Sequence, residues 1–233
     1  MNNEISILMT YHDISIVNWE EMFKEMEYVS YNIYPLNGNH ITTDGLRKIK
    51  EKYGHYTGCR FDELNTQLYF HENIKDNNDY IYTTHYRRVL DVPIDFSIPL
   101  DEKIIYVSRE HASIKETLMT WTNLCENDND FQIYRNICKK LLDLNDEQLD
   151  MCMNTQICPM REMYICHKSV FGRLMGYMYD LLELIFQSFS DDSLNSERFA
   201  GFIVERFMGV FFKKLEYYEG YDVRYQYTFL VEK

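Results

Sequence analysis

Proline and glycine are scarce, four and nine among 233 residues, which leaves little material for linkers or low-complexity stretches. With 45% hydrophobic side chains, 20 Tyr and 14 Phe, the chain has ample apolar area to bury, which excludes disorder. Basic residues are also in deficit: 24 Lys and Arg face 37 Asp and Glu, a net charge of −13. Such a molecule repels phosphate polymers and anionic lipid surfaces, and no nucleic-acid partner is expected. A small phosphorylated ligand remains allowed, because a few well-placed arginines outweigh the global field within about one Debye length, roughly 8 Å at physiological salt.

Long apolar runs are missing too. The best stretch, Phe171 to Phe189, is interrupted by Arg173, Asp180 and Glu183, so no integral membrane segment is expected. The opening MNNEISILMTYHD lacks the basic, apolar and small-residue series of a secretory signal. A cytoplasmic chain follows, with Cys59, Cys125, Cys138, Cys152, Cys158 and Cys166 as reduced thiols. Cys152, Cys158, Cys166 and His167 are grouped but lack the paired C-x-x-C hooks of a structural zinc site, and apolar core thiols are the simpler reading.

What is present is a mixed pattern of elements. Ile5 to Tyr11 reads as a buried strand that delivers polar groups at its exit, the end where open α/β sheets bind ligands. A helix capped by Asn18 with Trp19, Met22, Phe23 and Met26 inward, a strand from Tyr28 to Leu36, a helix capped by Asp44, and another beginning near Phe61 follow. Asp79 to Thr84 and Lys103 to Val107 are further strands. From Ser113 the period turns helical. Met163 to Cys166 reads as a short buried strand, 169–189 and 195–215 as long amphipathic helices, and Val223 to Val231 as one alternating edge strand. The class is α/β around one central sheet, a single domain over 1–233 with an α/β half (1–110) and a helical half (111–233).

The sharpest feature is NDYIYTTHYRRVL, Asn78 to Leu90, a strand that exits into His85, Tyr86, Arg87 and Arg88. Adjacent guanidiniums form bidentate, charge-assisted bonds to phosphate oxygens, and fixed cations stabilise a departing diphosphate. Surface arginines paired with Asp91 or Asp95, and a core histidine, are the structural alternative. Asp62, Glu63 and Asn65 stand in the first turns of a helix, where Asp62 or Glu63 favours the macrodipole or, alternatively, Asp62 and Asn65 hold a ribose or the donor sugar. Arg161, Glu162, Arg198, Glu205 and Arg206 occupy apolar surroundings in the C-terminal half, and Glu205 with Arg206 suits either a buried ion pair or a base beside a cleft.

Taken together these segments resemble the capsular and exopolysaccharide glycosyltransferases. DELNTQLYFHENIKDNNDYIYTTHYRRVL is similar to that family's E-L-T-A-L-Y-W-x-W-K-N helix followed by D-Y-x-G-L-x-H-Y-R-R. EMYICHKSVFGRLMGYMYDLLELIF resembles its N-M-F-I-M-K-K strand and following helix, ERFAGFIVERFMGVFFKK its R-x-x-G-Y-L-A-E-R-L helix, and TYHD its opening strand end. Glu162 stands where the family carries Asn, and the chain from about 91 to 155 lacks the family's longer insert.

The resemblance implies a GT-A-like nucleotide-diphosphosugar transferase fold, with a mixed, mostly parallel sheet flanked by helices and a helix-rich C-terminal half. It implies transfer of a hexosyl group from a nucleoside-diphosphate sugar to a glycan or lipid-linked glycan, in surface-polysaccharide or glycan synthesis. Tyr11, His12, Asp62, Glu63, Asn65, His85, Tyr86, Arg87, Arg88, Arg198 and Arg206 would then bind the donor, with Glu205, Glu162 and His85 as catalytic candidates. No Asp-x-Asp follows the central strand; either a divalent ion, manganese or magnesium, is held by His85 and a carboxylate elsewhere, or arginines replace it. A catalytically inactive nucleotide-sugar or glycan-binding assembly protein on the same fold is the alternative.

Overall fold

A computed structural model of the protein describes residues 4–11, 30–85, 88–91, 101–121 and 128–230. The helix expected after Asn18, together with His12, Tyr86, Arg87, Asp95 and Cys125, lies outside these residues.

Strands β1 (Glu4–Tyr11), β2 (Ser30–Asn37) and β3 (Tyr80–His85) form where apolar and β-branched residues cluster. They pair in parallel, Ile5 opposite both Tyr31 and Tyr80. β4 (Arg88–Leu90), β5 (Ile104–Glu110), β6 (Cys158–His167), β7 (Asp222–Gln226) and β8 (Thr228–Leu230) complete an eight-stranded sheet of order β2-β1-β3-β6-β5-β7, with β4 and β8 attached off this path. Three of the five pairings along the path are parallel, and β6 runs against both neighbours. The sheet is mixed and mostly parallel along its spine, as expected. Both faces are buried: Leu8, Ile81, Tyr164 and Cys166 meet the main helical core, while Ile7, Tyr80, Tyr82 and Ile165 form a second cluster on the opposite side.

Helices α1 (Asp44–Tyr53) and α2 (Asp62–Asn73) precede β3. Thr43, not Asp44, caps α1, its Oγ1 accepting the Leu46 N–H at 3.1 Å. The later helices are α3 (Ile114–Trp121), α4 (Asp128–Leu142), α5 (Asp146–Met153), α6 (Lys168–Gly176), α7 (Met178–Ser188), the short α8 (Asp191–Leu194) and α9 (Phe199–Tyr218). The expected helix over 169–189 is two: the chain tightens after Gly176, where the Tyr177 N–H bonds to the Leu174 carbonyl. α5, with its Asn145/Gln148 capping box, escaped the sequence reading. The terminal strand also divides, because residues before Tyr227 pair with β5 and those after it with β4.

Instead of a one-sided amphipathic helix, α9 is buried nearly all round, from Phe199 and Ile203 to Arg206, Gly209 and Phe212. At Gly209 a Cβ would stand 3.1 Å from the Pro159 carbonyl oxygen and 3.2 Å from Ile114, so the missing side chain lets β6 and α3 approach. Among the described residues no helix is long and apolar enough to cross a membrane.

Candidate functional site

The parallel strands β1 and β3 end on the same side of the sheet, and a cavity of about 280 Å³ opens beyond the exit of β3. Five parts of the chain build it. β3 and β4 contribute His85 and Arg88; the start of α2 contributes Phe61 and Glu63, next to Arg60; β6 contributes Arg161 and Glu162. The first turns of α9 add Arg198, Gly201, Phe202, Glu205 and Arg206, and the end of β5 adds Glu110. Seven residues expected from the sequence, Glu63, His85, Arg88, Glu162, Arg198, Glu205 and Arg206, therefore share one concavity.

Backbone strain concentrates there. Four non-glycine residues among those described have positive φ, and three of them, Arg161 (69°), Glu162 (51°) and Arg198 (59°), line the cavity. Each such conformation costs on the order of 1–3 kcal/mol and persists only where surrounding contacts impose it. Here the Arg161 N–H donates to Glu205 Oε1, and Thr83 Oγ1 donates to the Glu162 carbonyl at 2.9 Å. The β5–β6 register shifts between Val107 and Arg109, next to this bulge. The distortion turns Glu162 toward the cavity in mid-strand.

The charges are interleaved. Glu63 lies 3.6 Å from His85 Nε2 and 3.9 Å from Arg198. Arg161 reaches Glu110 at 3.0 Å and Thr228 Oγ1 at 2.7 Å. Arg206, 1% exposed, holds Glu205 at 2.6 Å and the Phe202 carbonyl at 3.2 Å, while its buried Nε has no hydrogen-bond partner. Arg198 and Arg206 also lie against the Phe202 ring, at 5.5 and 5.3 Å from its centroid. Among the described residues no carboxylate pairs with Arg88.

Glu162 is half-buried by accessible surface, with one side toward the cavity, and protein surrounds its carboxyl. Burial holds that carboxyl well above the usual carboxylate range; Glu63 and Glu205 push it further up, against Arg198 and Arg206. Five arginines outnumber the four glutamates of this lining in a molecule of net charge −13. Guanidiniums of this kind suit phosphate oxygens, and carboxyls suit sugar hydroxyls. Among the described residues no group of three or more His, Cys, Asp or Glu has metal-binding geometry.

Tyr11, Asp62 and Asn65 stand apart from the cavity lining. Asn65 is 1% exposed and its amide donates to the Gly38 carbonyl at 2.9 Å, tying α2 to the turn after β2. Tyr11 ends β1 opposite Asn37, and the Asp62 backbone packs beneath Gly38. His12, Tyr86 and Arg87 are outside the described residues. Sequence reasoning missed Arg60, Glu110, Gly201 and Phe202 as site residues. The i, i+3, i+4 spacing of Arg198, Gly201, Phe202 and Glu205 was the available signal, since it puts all four along one face of α9. Nothing local marks Glu110. The grouped cysteines are buried thiols, with burial pushing Cys152 up to about 11 and Cys158 up to about 12.

Residues 6–216 match the family described as "Domain of unknown function (DUF4422)". No curated protein matches the chain. The apo structure of WbbM, a bifunctional glycosyltransferase, superposes with a TM-score of 0.66 at 16% identity, covering 99% of this chain and 46% of that one. The chain thus spans less than half the length of that protein, and the likeness is one of fold.

Proposed function

Because this chain belongs to the DUF4422 family and shares its fold with a glycosyltransferase, we propose that it transfers a hexosyl group from a nucleoside-diphosphate sugar to a glycan or lipid-linked glycan. The step belongs to surface-polysaccharide or glycan synthesis, on a GT-A-like fold and in the cytoplasm. One observation carries this reading: arginines and carboxyls from five separate elements share a cavity at the exit of a parallel strand. A nucleotide sugar has the matching chemistry, an anionic diphosphate joined to a neutral polyol.

In this mechanism His85 and Arg88 stabilise the charge that develops on the departing diphosphate, helped by Arg198. Tyr86 and Arg87, between His85 and Arg88 in the sequence, would act with them. Of the two candidate bases, Glu205 has both oxygens engaged, by the Arg161 N–H and by Arg206. Glu162 has one oxygen bonded to Gln67, at 3.2 Å, and is the group offered to the sugar side. Arginines here supply the neutralisation that a divalent ion provides elsewhere, and manganese or magnesium would be an addition to them.

The test is a thermal-shift screen against nucleoside diphosphates and nucleotide sugars, followed by measurement of diphosphate released with glycan acceptors. Stabilisation with release supports transfer. Stabilisation without release under any acceptor favours a binding protein, and no stabilisation by any nucleotide ends the reading.

A further inference from the structure

Behind Glu162 lies a chain of hydrogen bonds that the proposed transfer does not by itself require. Tyr164, 1% exposed, donates its hydroxyl to Gln67 Oε1 at 2.6 Å. Gln67, 2% exposed, donates through Nε2 to Glu162 Oε2 at 3.2 Å. The Gln67 amide turns its acceptor corner to the phenol and its donor corner to the carboxyl. Oε2 of Glu162 is thereby committed as an acceptor. Thr83 fixes the backbone of the same bulge, taking the Tyr164 N–H at 3.1 Å and giving its own proton to the Glu162 carbonyl.

We infer that Glu162 is held as a neutral carboxylic acid with its proton on Oε1, oriented by Tyr164 and Gln67, and that it donates a hydrogen bond to an uncharged oxygen of the transferred sugar. The choice of a neutral oxygen follows from the neighbours. Glu63 faces this carboxyl from α2 and Glu205 from α9, while Arg198 and Arg206 face it from the start and second turn of α9, and Tyr164 lies on its own strand. Beside two carboxylates an ionised Glu162 would be repelled, and so would an anionic phosphate oxygen placed on it. A sugar hydroxyl or ring oxygen meets no such penalty. Glu162 thus sets specificity on the sugar side, which leaves Glu205 as the candidate base; Gln67 and Tyr164 are positioning residues.

The part about the sugar rests on the proposed transfer; the part about the proton does not. Infrared difference spectra of protein labelled with ¹³C-glutamate, without any ligand, report a protonated carboxyl directly. Near neutral pH we expect such a band in the parent, absent from Glu162→Gln and shifted in frequency by Tyr164→Phe and by Gln67→Leu. Parent and Glu162→Gln spectra that coincide would overturn the inference, as would a band indifferent to both positioning variants in folded protein. Binding supplies the second arm, using the nucleotide sugar and the corresponding nucleoside diphosphate from the screen. Glu162→Ala should weaken the sugar-bearing ligand roughly ten-fold more than the bare diphosphate, the loss of about one buried hydrogen bond. Glu162→Gln, a neutral donor, should recover more of that loss than Glu162→Asp; the reverse order would mean that the carboxylate is the working form. A protonated Glu162 in a protein that binds no nucleotide would refute the proposed transfer while leaving the buried proton standing.

Discussion

Nη1 of Arg206 lies 2.6 Å from Oε2 of Glu205, its neighbour in the chain. Consecutive helical residues project about 100° apart, so the two converge only because both bend toward the cavity. The second Glu205 oxygen takes the strained Arg161 N–H. Glu205→Gln therefore leaves a buried guanidinium without its counterion, and the expected cost is about 3–5 kcal/mol in urea unfolding. The double variant Glu205→Gln with Arg206→Met should be less destabilised than Glu205→Gln alone. Simple additivity of the two single losses would show the pair to be independent.

Arg88 lines the cavity without a carboxylate partner among the described residues. Removing it should cost ligand, not fold. Arg88→Ala is expected to weaken nucleoside-diphosphate binding by about ten-fold or more, the worth of a hydrogen bond to a charged group, with little movement of the melting temperature. Calorimetric titration beside a thermal melt checks both halves, and unaltered affinity removes Arg88 from the phosphate side.

Two glycines should respond in opposite directions. A Cβ on Gly58 would lie 2.4 Å from the Leu194 carbonyl oxygen and 2.7 Å from that of Ser196, both backbone atoms with no freedom to yield. Gly58→Ala should lose about 1–3 kcal/mol by overpacking. At Gly176 nothing lies within 4 Å of the added atom. Gly176→Ala, at the end of α6, should gain about 0.5–1 kcal/mol by reducing the freedom of the unfolded chain. Melting curves of the two variants suffice.

Burial would raise the Glu219 carboxyl, but the bidentate Arg173, at 2.9 and 3.0 Å, and Lys214, at 3.3 Å, outweigh it and hold the pKa below the ordinary value. A depressed carboxylate contributes stability that is complete above the unfolded pKa, about 4.3, and disappears as pH falls through the lower folded value. Arg173→Met should thus melt below the parent near neutrality, and the gap should close in acid. A gap of constant size across that range would assign the effect to lost packing against Phe211, 5.9 Å from the guanidinium, instead.

Much of the sheet was readable because its signals are local. Ile5 to Tyr11 and Asp79 to Thr84 announce themselves by apolar and β-branched content, and each matches its strand to within a residue. Met163 to Cys166 was read six residues too short, since Cys158 to Glu162 carries Pro159 and charged side chains that no strand pattern predicts. Those residues pair because β5 lies beside them, with Arg109 opposite Pro159 and Glu110 opposite Cys158. The site divides in the same way. His85, Arg88 and Glu63 were visible as charge at the end of an apolar strand and at a helix start. Glu110 was not, because what brings it to the cavity is its long-range contact with Arg161.

The residues alone determined an acidic, aromatic-rich α/β chain with a cationic strand exit, since composition and period act over a few neighbours. The order β2-β1-β3-β6-β5-β7, the full burial of α9 and the left-handed bulge at Arg161 and Glu162 were decided only by tertiary structure. Local preference opposes that bulge by an amount on the order of 1–3 kcal/mol per residue. Only partners distant in sequence, Thr83 and Glu205, overcome it, and in doing so they turn Glu162 into the cavity.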